Sequence, residues 1–226
     1  MKNNNGILYV VATPIGNLDD ITLRGLETLK SVDYILCEDT RKTKVLLDHY
    51  KIEKKLISYH QHSKITKADY IVQLLLEGNN LALVSDAGTP SISDPGRKLI
   101  EVVEKIAHIQ IVPIPGPSAI VAALSISGLN ADKFIFLGFL PTKKGRNKIF
   151  EEIKESEKTV VFYESVYRII KTLNSLDIAE RKVVVCRELT KMFEETIKGT
   201  KEEVLNYFEN NQDKIKGEFV VIIEGK

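Results

Sequence analysis

Short apolar runs alternate with stretches of helical period along the first half of the chain. Ile7–Ala12, Tyr34–Cys37, Leu56–Tyr59, Leu81–Val84 and Ile109–Pro113 are compact apolar runs bounded by polar or turn residues, a pattern that predicts buried strands. Between them, Ile21 to Val32 carries Leu23, Leu26 and Leu29 at helical spacing. Val45–Leu47 falls in a second helix and Ile65 to Leu76 in a third. Leu99, Ile100, Val102 and Val103 give an apolar face to a fourth helix reaching Ala107. Strand and helix in strict turn imply a mostly parallel sheet with helices on its faces.

Pro113-Ile114-Pro115-Gly116-Pro117 interrupts this alternation. Three prolines and a glycine in five residues make a stiff, poorly helical connector, so a domain boundary is expected there, dividing the chain into 1–116 and 117–226. Ser118 is placed to cap a helix over Ala119–Ser127. Beyond Gly128 the strand runs are Phe134–Leu140, Thr159–Tyr163, Val183–Cys186, Thr196–Lys198 and Phe219–Ile223, with helices near 146–155, 165–176 and 200–209. This predicts a second α/β domain of more mixed strand direction.

The richest stretch is Val84-Ser85-Asp86-Ala87-Gly88-Thr89-Pro90-Ser91-Ile92-Ser93-Asp94-Pro95-Gly96. It follows the strand Leu81–Val84, and Asp94 and Pro95 read as N-cap and first residue of the next helix. A plain connector accounts for Gly88, Asp94 and Pro95 but leaves Asp86, Thr89 and Pro90 without a purpose. In open α/β sheets, ligands bind outside the carboxyl ends of strands, which makes this loop a candidate ligand site. Thr13-Pro14-Ile15-Gly16-Asn17 and Glu38-Asp39-Thr40-Arg41 also close strands. The first is either a simple turn or a substrate or cofactor contact, with Pro14 as a cofactor candidate. In the second, Asp39 or Thr40 caps a helix, or carboxylate, hydroxyl and guanidinium together orient a ribose and a phosphate.

Composition narrows the classes. Of 226 residues, 43% are hydrophobic and 28% charged, as in a soluble globular protein. Lys and Arg total 32 against 31 Asp and Glu, a formal charge of +1, so no global field draws in nucleic acid and any RNA contact must be local. The densest basic run is Lys143-Lys144-Gly145-Arg146-Asn147-Lys148, either a solvated helix start or a phosphate contact. Cys37 and Cys186 sit in strand-like runs and make no disulfide framework. His60-Gln61-His62 lacks supporting Cys, Asp or Glu at a metal-binding spacing, so no metal is expected. No run reaches membrane-spanning length, and the apolar run Ile7–Ala12 is too short for a signal peptide core, so a cytoplasmic location away from membranes is expected. No Gly-x-Gly-x-x-Gly follows a strand and no Walker-type loop occurs, which excludes ordinary nicotinamide enzymes and P-loop phosphotransferases.

Eight motifs in order carry a resemblance: Thr13-Pro14-Ile15-Gly16-Asn17-Leu18, Glu38-Asp39-Thr40-Arg41, the Val84–Gly96 loop, Pro115-Gly116-Pro117-Ser118-Ala119, Gly138-Phe139-Leu140-Pro141, Phe162-Tyr163-Glu164-Ser165, Arg187-Glu188-Leu189-Thr190 and Lys216-Gly217-Glu218. Together they resemble the ribosomal RNA small-subunit methyltransferase I family, a branch of the tetrapyrrole methylases. That resemblance implies two α/β domains of tetrapyrrole methylase type that bind S-adenosylmethionine in a cleft between them, without a Rossmann glycine loop. It implies methyl transfer to the ribose 2′-hydroxyl of a cytidine in 16S rRNA of the 30S subunit, by a homodimer. Pro14, Asp86, Gly88, Thr89, Pro90, Ser118, Ala119, Phe162 and Tyr163 become cofactor contacts, with Phe162 and Tyr163 otherwise readable as core residues of a strand. Arg41, Lys143, Lys144 and Arg146 become RNA contacts. The candidates for the proton acceptor are Asp39, Glu164 and Glu188, although Glu164, Arg187 and Glu188 are equally readable as structural ion-pair members. Members of this family commonly continue past the last strand with a helical extension, whereas this sequence ends at Glu224-Gly225-Lys226. Two rivals share the scaffold: a methylase of a tetrapyrrole or another acceptor, and a non-catalytic RNA- or ribosome-binding protein.

Overall fold

The computed structural model describes residues 5–60 and 65–226. Of the His60–His62 stretch, Gln61 and His62 lie outside them. Two compact units emerge, Met1–Ser118 and Ala119–Lys226. The proline connector stays with the first unit through Ser118, because Ala12 N–H donates to the Ile114 carbonyl (3.2 Å) and the Thr89 hydroxyl to that of Pro117 (3.3 Å).

The first unit runs β1 (Ile7–Val11), α1 (Leu23–Ser31), β2 (Tyr34–Cys37), α2 (Thr40–His49), β3 (Lys55–Ser58), α3 (Ile65–Leu76), β4 (Leu81–Val84), α4 (Gly96–Glu104) and β5 (Gln110–Ile114). Its five strands are all parallel, in the order β3-β2-β4-β1-β5. Helices cover both faces, which is why β4 reads as an unbroken apolar run. Leu81 and Leu83 pack with Ile71, Leu75, Leu99 and Val103 of α3 and α4, and Ala82 and Val84 with Leu29, Leu46 and Leu47 of α1 and α2. Pro113 is tolerated inside β5 because β5 is an edge strand with one side unpaired.

That division of helices fixes the site. The connections leaving β1 and β2 turn to one face, while the connection leaving β4, which lies between them, turns to the other. The strand order therefore has a switch point on each side of β4, and a crevice opens where neighbouring loops part.

The second unit contains α5 (Ala119–Ser127), β6 (Phe134–Phe139), α6 (Arg146–Glu155), β7 (Thr159–Ser165), α7 (Ile169–Ser175), β8 (Val183–Arg187), β9 (Glu195–Gly199), α8 (Lys201–Asn210) and β10 (Glu218–Ile223). The order is β6-β7-β10-β8-β9. Only β6 and β7 are parallel; the other neighbours are antiparallel. Val160, Phe162, Val183, Val185, Val221 and Ile223 form one face of this sheet and pack with side chains of α6, α7 and α8, such as Ile153, Leu173 and Phe208.

Two helix starts differ from expectation. The residue flanking α4 is Pro95, which has no capping side chain, and the Asp94 carboxylate acts from one position further out, accepting from Ser91 N–H (2.6 Å) and Gly96 N–H (2.8 Å). Helix α7 begins at Ile169 instead of 165, because Ser165–Arg168 closes a turn first (Arg168 N–H to the Ser165 carbonyl, 3.0 Å). Among the described residues no helix is long and apolar enough to cross a membrane, and no group of His, Cys, Asp or Glu could hold a metal ion. Cys37 and Cys186 are buried free thiols.

Candidate active site

The loop after β4 is tied to its neighbours on both sides. Toward β1, Thr13 and Gly88 exchange backbone hydrogen bonds (3.0 Å each), and the Thr13 hydroxyl donates to the Ser85 carbonyl at 3.0 Å. Gly88 holds a left-handed φ of +77°, which a side chain would strain; a Cβ there would touch Ile15 at 3.4 Å. Toward β2, Asp86 Oδ1 accepts from Asp39 N–H (3.1 Å) and Oδ2 from Lys42 Nζ (2.8 Å). Asp86 thus fastens the β4 loop to the start of α2. The Thr13, Asp39 and Asp86 segments are thus linked within this unit, and Lys42, which the motif stopped short of, belongs with them.

Between the ends of β2 and β4 lies a recess lined by Glu38, Tyr59, Ser85, Asp94, Pro95 and Gly96. Partial burial, then the charges of Asp86 and Asp94, push the Glu38 carboxyl above its ordinary pKa, against weaker pulls from Lys42 and His60. Among the described residues no hydrogen bond or ion pair engages that carboxylate. Its neighbour differs. Asp39 caps α2 by accepting from Arg41 N–H (2.9 Å) and holds the Arg41 guanidinium in a fork, Nε at 3.0 Å and Nη2 at 2.7 Å. Those bonds pull the Asp39 carboxyl down to about 2. Such a group is a poor proton acceptor near neutral pH.

The other two proton-acceptor candidates are also engaged. Glu164 is 1% exposed. Its Oε1 accepts from Ser165 N–H (2.8 Å) and pairs with Arg168 Nη2 (2.6 Å), and its Oε2 accepts from the Thr172 hydroxyl (2.6 Å). Glu188 accepts from Lys191 Nζ (2.8 Å) and Glu218 N–H (3.0 Å). Burial would raise its pKa, but these bonds and the charges of Lys191 and Arg187 outweigh it and lower the net value. Gly217 makes room for this carboxylate, since a Cβ there would stand 2.2 Å from Glu188 Oε1. For Glu164 and Glu188 the structural alternative holds, with Arg168 and Lys191 as the partners. Arg187 instead pairs with Glu195 (3.3 Å).

The remaining second-unit candidates divide. The Phe162 side chain is fully buried on the helix-covered face of the sheet, so core packing accounts for it and a cofactor wall does not. Tyr163 points to the opposite face, edge-on to Phe136 (5.0 Å between ring centres) and tilted against Phe139 (5.3 Å). Burial, with the charge of Glu218, pushes its hydroxyl up to about 12. Lys143 and Lys144 are exposed, but Arg146 turns inward. Its guanidinium donates to the Pro141 carbonyl (3.1 Å) and the Thr172 hydroxyl (2.9 Å) and stacks over Phe150, so it holds the loop instead of reaching out to phosphate.

A two-unit α/β chain with strand-end loops in place of a dinucleotide fingerprint belongs to a recognisable class. The family model described as Tetrapyrrole (Corrin/Porphyrin) Methylases matches residues 7–205, so the chain is a methyltransferase of that family. Solved structures agree on the fold. Diphthine synthase superposes with a TM-score of 0.77 at 13% identity, covering 98% of this chain and 90% of its own. Uroporphyrin-III-C-methyltransferase from Thermus thermophilus gives 0.64 at 17%, covering 97% and 94%.

Sequence relatives narrow the class. The chain is 48% identical to ribosomal RNA small subunit methyltransferase I of Halalkalibacterium halodurans, covering 99% of this chain and 78% of the relative. It is 46% identical to that of Bacillus subtilis (99% and 77%) and 46% identical to that of Escherichia coli O157:H7 (99% and 79%). It belongs to the ribosomal RNA small subunit methyltransferase I family.

Proposed function

We propose that this methyltransferase moves the methyl group of S-adenosylmethionine to the ribose 2′-hydroxyl of a cytidine in 16S rRNA of the small subunit. The observation that carries this is the near-half identity, over almost the whole chain, to proteins named for ribosomal RNA of the small subunit. The donor set suits the cofactor. Asp86 and Asp94 place carboxylates near the ends of β2 and β4, where a ligand carrying a sulfonium and an ammonium finds complementary charge. Gly88 leaves bare backbone for close approach.

When bound, the sulfonium supplies an already activated methyl group. The chain's task is alignment of acceptor oxygen, methyl carbon and sulfur, worth up to ~7–11 kcal/mol. In the first unit, Pro14, Asp86, Gly88, Thr89, Pro90 and Ser118 are our cofactor contacts. In the second they are Ala119 and Tyr163, whose half-buried ring beside Phe139 offers an apolar wall to a purine. Among the described residues no side chain pairs with Lys143 or Lys144, and both are exposed, as phosphate contacts require. Arg41 keeps its guanidinium on Asp39 with an 89% exposed side chain, and from there still presents donors outward to RNA.

Transfer of a tritiated methyl group to purified 30S subunits tests this reading beside a tetrapyrrole acceptor. Label recovered as 2′-O-methylcytidine supports it. Label only in the tetrapyrrole overturns the acceptor assignment, and RNA retained on a filter without label overturns the enzymatic one.

A further inference from the structure

We propose that Glu38, at the carboxyl end of β2, takes the proton from the acceptor hydroxyl in the recess between the β2 and β4 loops. The proposal rests on methyl transfer to a hydroxyl, as argued above, and assigns the step that reading leaves without a residue.

The geometry is that of a switch-point crevice. Strand β4 has one crevice on each side, and the two differ. On the β1 side the loops are laced together close to the sheet by the Thr13–Gly88 pair and the Thr13 hydroxyl. On the β2 side, among the described residues, the Asp86 links reach Asp39 and Lys42, and a small recess remains between Glu38, Ser85, Asp94 and Gly96. Glu38 heads that opening, exposed on one side and walled by Tyr59, Asp94 and Pro95 on the other. A proton acceptor needs a lone pair that no other donor already holds. Asp39 gives its lone pairs to Arg41, Glu164 to Arg168 and Thr172, and Glu188 to Lys191 and Glu218 N–H. The Glu38 carboxylate alone among these four is left to a ligand.

The surrounding charges suit the task. Asp86 and Asp94 disfavour the ionised Glu38, whereas Lys42 and His60 favour it. The net upward displacement makes Glu38 a stronger base than an ordinary carboxylate. In the step, the acceptor O–H bond breaks and its proton passes to a Glu38 carboxylate oxygen. The electron pair left on the oxygen forms the new O–CH3 bond, and the C–S bond breaks with its pair returning to sulfur, giving a neutral thioether. The carboxylic acid then releases its proton to water.

The test uses the full chain, 30S subunits and S-adenosylmethionine. Glu38→Gln is expected to lower kcat about 10²–10⁴-fold. Cofactor affinity by calorimetry and 30S retention on a filter are expected to stay within about twofold of wild type. Glu38→Asp, which keeps the carboxylate, recovers part of the rate. The wild-type kcat rises with pH as the Glu38 carboxyl, raised from its ordinary pKa, ionises, and Glu38→Gln loses that rise. Folding is not at risk: a carboxyl with a raised folded pKa is disfavoured when ionised, so Glu38→Gln melts at or above the wild-type temperature at pH 7. Wild-type kcat in Glu38→Gln, or a rising limb that persists in it, overturns the proposal while the methyltransferase reading stands. A wild-type protein that labels no RNA overturns that reading and the proposal with it.

Discussion

Replacing Glu164 with alanine removes the one buried carboxylate around which the turn from β7 to α7 and the loop after β6 are assembled. Three donors lose their acceptor: the Arg168 guanidinium at 2.6 Å, the Thr172 hydroxyl at 2.6 Å and Ser165 N–H at 2.8 Å. The Glu164 side chain is 0% exposed and that of Arg168 only 22%, so water replaces the lost carboxylate poorly. Breaking a buried pair by removing one partner costs about 3–5 kcal/mol, since it strands the remaining charge. Each orphaned neutral donor adds roughly 1–3 kcal/mol where it cannot relax toward water. The loss reaches further, because Arg168 also holds the Leu140 carbonyl (2.8 Å) and Arg146 holds Pro141 and Thr172. We therefore expect Glu164→Ala to lose at least ~3 kcal/mol, a large share of the ~5–15 kcal/mol of an ordinary domain. Glu164→Gln, which keeps an acceptor and the volume, should lose less. Urea denaturation followed by circular dichroism reads this as a lower midpoint at unchanged slope. A Glu164→Ala protein within ~0.5 kcal/mol of wild type, the usual range of a harmless surface change, would refute the reasoning.

Other sites give sharper signs than magnitudes. Burial works to raise the pKa of Glu195, but hydrogen bonds from Lys214, Tyr207 and Arg187 outweigh it and hold the carboxyl below its ordinary value. Its stabilisation is therefore complete above the unfolded pKa of ~4.3 and fades as pH falls from there through the lower folded value. The urea midpoint of wild type should approach that of Glu195→Gln across that window, and a gap that stays constant down to pH 3 argues against it. Gly88→Ala forces a side chain into φ +77° and should cost ~1–2 kcal/mol. An unchanged midpoint would mean the Thr13–Gly88 pairing can shift without penalty. Replacing Lys143 and Lys144 together with alanine should flatten the salt dependence of RNA binding by ~1–2 in log K against log salt. Cofactor affinity should be unchanged, and an unaltered salt slope removes these lysines from the interface.

The fold was legible where burial is two-sided. Leu81–Val84 has no alternation, and the structure shows why: Leu81 and Leu83 face α3 and α4 while Ala82 and Val84 face α1 and α2. In the second unit, Thr159–Ser165 places Val160, Phe162 and Glu164 on the helix side of β7 and Tyr163 on the other. The period of two was visible there, but the direction of each face was not. Nothing in Phe162-Tyr163 tells which ring enters the core, because that depends on α6, α7 and α8, helices that lie outside the strand on both sides of it in the chain.

The site was harder to read for a reason specific to carboxylates. Glu38, Asp39, Glu164 and Glu188 all stand at strand ends, and type and position make them equivalent. What separates them is the partner each acquires on folding. Some partners are local: Arg41 lies two residues beyond Asp39, Lys191 three beyond Glu188 and Arg168 four beyond Glu164. A basic residue two to four positions after a strand-end acid is thus a signal, available in the sequence, that the acid is already engaged. Applied alone, that signal would also have discarded Glu38, since Lys42 follows it by four. Lys42 instead reaches across to Asp86, 44 residues away, and only the pairing of β2 with β4 brings those two together. The free carboxylate is left by a competition between a local and a distant acceptor for one lysine, and strand order decides it.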